Sequence, residues 1–118
     1  MTTLNQDIQT LLATLAPAGG VFYGLNTAQP VAYPYIVWVR TASDPNVSMR
    51  GQSTLQNTNI QIDLYSRAVD QLVALETALE VAFAAWPVQN VPTLSFDMPD
   101  PETRAYRTVK EYSVWATN

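Results

Sequence analysis

Tyr106-Arg-Thr-Val-Lys-Glu-Tyr-Ser-Val-Trp115 decides how this chain is read: a long run rich in aromatic and β-branched residues, with no Gly or Pro. Such a run is a strand. Only Ala116, Thr117 and Asn118 follow it, so the fold is expected to complete a sheet with its final residues. Alternation puts Tyr106, Thr108, Lys110, Tyr112 and Val114 on one face and Arg107, Val109, Glu111, Ser113 and Trp115 on the other. Neither face is purely apolar, which predicts an element that packs inward and also meets something else.

Working upstream, Pro99-Asp-Pro-Glu-Thr103 is a proline-fixed turn, and residues 91–98 form a further strand before it. Val69, Leu72, Leu75, Leu79, Ala82, Phe83 and Trp86 recur at helical spacing and make the apolar stripe of a second helix. Ser66 is its expected N-cap, Asp70 complements the positive end of its dipole, and Pro87 ends it. In residues 55–65, Ile60, Ile62 and Leu64 alternate with Gln61, Asp63 and Tyr65, the pattern of a half-buried strand. Tyr35-Ile-Val-Trp-Val-Arg40 is nearly continuous apolar sequence and is expected near the centre of the sheet. Between these two, residues 43–54 are polar and hold Pro45 and Gly51, which predicts either a mobile functional loop or a long hairpin tip.

Residues 21–23 are a short strand. Leu4, Ile8, Leu11, Leu12 and Leu15 mark a first helix over residues 5–16, with Thr3 and Gln6 at capping-box spacing and Pro17, Gly19 and Gly20 to stop it. The predicted fold is α+β, a single mostly antiparallel sheet with two helices packed on one face, in the order α-β-β-β-α-β-β. The whole chain, residues 1–118, is of a size for one domain. The face without helices, and the sheet edges, are the places for a partner chain.

Composition narrows the chemistry. There is no Cys and no His, which removes disulfides, thiolate zinc sites and nucleophile–His pairs. Six basic against ten acidic residues give a net charge of −4, which argues against binding nucleic acid by phosphate neutralisation. The N-terminus lacks a basic region followed by an apolar run, and no stretch approaches the roughly 18 apolar residues of a membrane span, so a soluble protein is expected.

The remaining candidates for chemistry read as ordinary structure. Asp97, Asp100 and Glu102 are close enough in sequence to bind a hard cation, but they lack calcium-loop spacing and Pro99 and Pro101 account for the segment. Asp63 and Glu111 lie on different strands and meet only by register. Gly19-Gly20 has neither phosphate-loop spacing nor a following helix. Arg50, Arg104, Arg107 and Lys110 are candidates for a small basic patch, with dispersed surface charge as the simpler reading. Trp38 and Trp86 are read as core, Trp115 as either core or an interface anchor. No catalytic, cofactor or metal residue is therefore assigned, and the chain is not expected to be an enzyme.

Val21-Phe-Tyr-Gly24, Tyr33-Pro-Tyr-Ile-Val-Trp38, the strand over residues 55–65, the Ala/Leu-rich second helix and the stretch over residues 102–115 together resemble the small tail-completion proteins of tailed phages and prophages, the head-tail joining or tail-terminator family. The likeness covers nearly the whole chain in order. It implies a virion structural protein, assembled in the host cytoplasm, at the head-proximal end of the tail. It further implies a homo-oligomeric ring, commonly six-fold, that caps the tail tube protein and docks to head-tail connector proteins. DNA passes through such a ring, with no sequence-specific nucleic-acid contact and no membrane partner. A small α+β module binding a ligand or peptide is the alternative.

Overall fold

The computed structural model describes residues 3–28, 30–48, 51–99 and 104–117. The first helix, α1 (Leu4–Ala13), opens on the expected capping box: the Gln6 N–H donates to Thr3 Oγ1 at 3.2 Å and the Thr3 N–H donates to Gln6 Oε1 at 2.8 Å. It ends earlier than its apolar spacing suggests. Thr14 is the C-cap, its Oγ1 donating to the Leu11 carbonyl at 2.6 Å, and Ala16 turns the chain with φ of 49°. Gly19 is needed for close approach rather than for helix termination. Its N–H donates to the Pro34 carbonyl at 2.7 Å, and a Cβ there would collide with the Ala32 carbonyl oxygen.

A five-stranded sheet follows from β1 (Val21–Tyr23), β2 (Tyr35–Ser48), β3 (Gly51–Ser66), β4 (Gln89–Asp97) and β5 (Tyr106–Thr117), in the spatial order β1-β2-β3-β5-β4. β1 runs parallel to β2 and every other pair is antiparallel. The α+β class and element order are as the sequence predicts. β5 ends the chain yet lies between β3 and β4, so both its ladders are used. β2 is not the centre: β3 holds that place, and among the described residues β2 beyond Trp38 has no neighbour on its outer side, because β1 pairs only with Ile36, Val37 and Trp38.

The polar stretch over residues 43–54 is largely strand. Val47 pairs with Gln52 and Ser48 with Gly51, so the hairpin-tip alternative holds, with positions 49 and 50 outside the described residues. Backbone pairing needs no apolar side chains, which is why composition alone made this segment look like a loop.

The second helix, α2 (Val69–Ala85), begins after its expected cap. Ala68 occupies the N-cap and makes no side-chain bond, while Ser66 Oγ accepts from the Ala68 N–H at 3.1 Å and fixes the turn before the helix. Leu72, Leu75, Leu79 and Phe83 are buried, and Trp86 stands edge-on to Phe83 at 5.5 Å. These residues share one core with Leu4, Ile8 and Leu12 of α1 and with Ile36, Trp38, Ile60, Ile62, Leu64, Tyr112 and Val114 of the sheet. Because paired residues project to the same side, both helices cover a single face, and among the described residues the other face carries none. No described helix is long and apolar enough to cross a membrane.

Candidate assembly surfaces

Among the described residues the acidic side chains form no group of three that could hold a metal ion. Asp97 closes β4 on the helix-covered side, where its Oδ1 accepts from Thr108 Oγ1 at 2.8 Å; Asp100 and Glu102 lie outside the described residues. Asp63 and Glu111 are diagonal neighbours on the uncovered face, since Asp63 pairs with Val109 and Gln61 with Glu111. Asp63 is committed elsewhere. Its Oδ2 meets Arg107 at 2.7 Å and its Oδ1 accepts from Gln61 Nε2 at 3.1 Å, so the two carboxylates do not form a catalytic pair.

Among the described residues the candidate basic patch does not form, in keeping with the simpler reading of dispersed charge. Arg107 and Lys110 differ in strand parity and project to opposite faces of β5. The Lys110 side chain is only 5% exposed and reaches Glu80 at 2.8 Å and Glu76 at 3.9 Å, both on α2. The Lys110 hydrogen bond and charge hold the Glu80 carboxyl below its ordinary range. Beside this cluster Tyr112 stacks on Phe83 at 4.1 Å, and burial, with the Glu80 and Glu76 charges behind it, pushes its phenol up to about 12. Arg104 is exposed at the entry to β5, and Arg50 lies outside the described residues.

Sequence reasoning missed an aromatic ladder near the β2–β3–β5 end of the uncovered face. Arg67 lies over Tyr33 at 4.8 Å, Tyr33 and Tyr35 are 5.3 Å apart, Tyr35 stacks on Tyr65 at 4.6 Å, and Arg107 lies over Tyr65 at 5.5 Å. The spacing of Tyr33 and Tyr35 was visible in the sequence. Their meeting with Tyr65 and Arg107 required the register Tyr35↔Tyr65↔Arg107. The rings at this end of the face are thus engaged with one another and with the two guanidinium groups.

Three sets of large apolar side chains remain in water. On β4 and just past it are Val91, Leu94, Phe96 and Met98; on α2, Val69, Val73 and Val81; beside β1, Tyr23, Leu25 and Val31. Leu72, Leu75, Leu79 and Phe83 already use the inward side of α2, so the three valines are apolar surface beyond its buried stripe. Trp115 is half-buried on the uncovered face, outside the core, whereas Trp38 is buried with its Nε1 donating to Gln9 Oε1 at 2.8 Å.

The sheet edges are less available than the sequence suggested. Pro92 on β4 and Pro45 on β2 lack an N–H, and the pairing shifts between Pro92 and Leu94, Arg40 and Ala42, and Pro45 and Val47. Prolines and bulges blunt an edge against strand addition. The cleft of about 420 Å³ between α1 and the β1–β2 edge offers little to a ligand, since Gln9 is spent on Trp38 and, through Nε2, on the Val21 carbonyl at 3.1 Å.

No curated relative matches the sequence. Among solved structures, the fold is similar to a chain in the virion of a native gene transfer agent (GTA) particle, with a TM-score of 0.61 over 91% of this chain and 84% of that one. Identity is 13%, so that likeness is one of fold. The family model described as Tail completion protein gp17 matches residues 7–117, from within α1 to the end of β5. The chain belongs to the tail completion protein family and is a structural component of a virion tail.

Proposed function

We propose that this chain is the tail-terminator or head-tail joining subunit: copies close into a ring, six-fold as the family resemblance implies, that caps the tail tube and presents a docking surface to the head connector. The single observation that carries this reading is the exposed apolar side chains at the two edges of the sheet, Val91, Leu94 and Phe96 on β4 and Tyr23 on β1, where the backbone edges themselves are blunted. A surface of this kind is expected where one copy meets the next in a head-to-tail ring, which closes by rotation. The whole of residues 1–118 acts as one assembly unit, and its role is non-enzymatic, resting on contact rather than on bond chemistry. Its net charge of −4 suits a channel through which DNA passes, because like charge keeps phosphates from sticking.

Sedimentation across a concentration series, with electron micrographs of the protein mixed with tail tubes, tests this. Rings in solution or at one end of tubes are expected. A protein that stays monomeric at every concentration and never caps a tube defeats the proposal. The ligand-module alternative is not favoured, because the family match over residues 7–117 is to a tail completion protein.

A further inference from the structure

One cross-strand row of the sheet runs from a cation on its outer flank, Arg40, to Pro92 in the wall of a cleft that holds Glu80 of α2. Arg40 pairs with Ile60, Ile60 with Tyr112 and Tyr112 with Pro92, so a single row crosses from the outer side of β2 to β4. Ile60 and Tyr112 belong to the core, which places Arg40 on the helix-covered side. It is exposed there, beyond the last residue that β1 covers, and forms no ion pair among the described residues.

At the far end of the row, Pro92 lines a cleft of about 360 Å³ between the C-terminal half of α2 and the β4–β5 pair, with Glu80, Ala84 and Asn90 around it and Lys110 and Tyr112 beneath. Glu80 is half exposed at its mouth. The local charge does not balance: Glu76 and Glu80 share the single ammonium of Lys110, leaving one carboxylate in excess. Val81 is exposed on the same helix, and Tyr23 is exposed on β1, which pairs with β2 just before Arg40.

We infer that Arg40 of one copy enters the Glu80 cleft of the next, making the heterologous contact of the ring. The inference rests on the ring reading and deepens it by naming the partner as a second copy of this chain and the contact as one cation completing a carboxylate pair. Charge complementarity selects this occupant. A head-to-tail repeat that keeps the strands side by side carries Arg40 to the level of Pro92. The blunted edges exclude continuous strand pairing there, so the apolar flanks and this ion pair hold the copies together.

The chain has no cysteine, which permits a directional cross-linking test. Thr41→Cys stands beside Arg40 and Ala84→Cys stands in the cleft, both at exposed positions that leave the Lys110 cluster intact. Treated with a short bis-maleimide, a mixture of the two variants is expected to give covalent dimers, and neither variant alone should do so. Arg40→Glu should weaken association by about tenfold or more at low salt, and Arg40→Lys should retain most of it. Cross-links formed by one variant alone, or rings that persist unchanged in Arg40→Glu and give no mixed cross-link, would overturn the inference and leave the ring standing. Absence of rings from the unmodified protein, alone and on tubes, would sink both.

Discussion

Lys110 Nζ lies 2.8 Å from Glu80 Oε1, the ammonium almost wholly buried and the carboxylate half in water. The asymmetry sets what each substitution does. Removing both carboxylates in Glu76→Gln/Glu80→Gln strands a buried cation and should cost about 1 to 2 kcal/mol, moderated by water at Glu80. Lys110→Met removes the cation as well and should cost less. Urea unfolding of both variants provides the comparison, and a larger loss in Lys110→Met contradicts the account.

The same pair sets the acid limb of stability. The folded Glu80 carboxyl is lowered from 4.5 by Lys110, so its contribution is complete above 4.5 and is lost as pH falls through the lower folded value. Stability measured from neutral pH downward should therefore begin to lose this contribution below about 4.5, and Glu80→Gln should flatten that part of the profile.

Tyr112 governs the alkaline limb. Its phenol is raised from 10.0 to about 12, so folding favours the neutral form and that stabilisation disappears as pH rises between those values. Two pH units correspond to about 2 to 3 kcal/mol. Tyrosinate absorbance should contain a late-titrating component, and Tyr112→Phe, which keeps the stack on Phe83, should remove both that component and the alkaline loss.

Gly19→Ala should be strongly destabilising, by roughly 2 kcal/mol or more, because the added methyl meets the backbone at Ala32 rather than a movable side chain. Thermal unfolding against Gly24→Ala makes a useful contrast: a Cβ at Gly24 meets nothing within 4 Å, and only the left-handed φ of 81° opposes it. Equal losses in the two variants would remove the close-approach argument.

Trp115→Ala separates fold from assembly. Trp115 lies outside the core on the uncovered face, so the melting temperature should fall little while association weakens by about 2 kcal/mol, as for a truncated aromatic anchor. A large fall in melting temperature would return Trp115 to a structural role, and unchanged assembly would remove the anchor.

Much of the architecture was legible because periodicity reports burial directly. The alternation of Ile60, Ile62 and Leu64 and the spacing of Leu72, Leu75, Leu79 and Phe83 name core residues without knowledge of their partners. Val69 obeyed the same spacing yet is exposed, because it lies at the very start of α2, beside the rim residue Tyr106. Alternation also put Lys110 beside Tyr112 and Val114, but only α2 laid across β5 shows that Glu80 receives it. The Arg40–Pro92 row depends on three registers at once, and no local pattern in the sequence carries that information.

If the proposed ring buries Val69, Val73 and Val81, its association carries a thermal signature distinct from that of Arg40 and Glu80. Water releases apolar surface less willingly in the cold, so a contact that buries these valines loosens on chilling, whereas an ion pair loosens with added salt. Cold and ionic strength thus act on separate parts of the same junction, and a tail joint resting on both withstands either stress alone better than the two together.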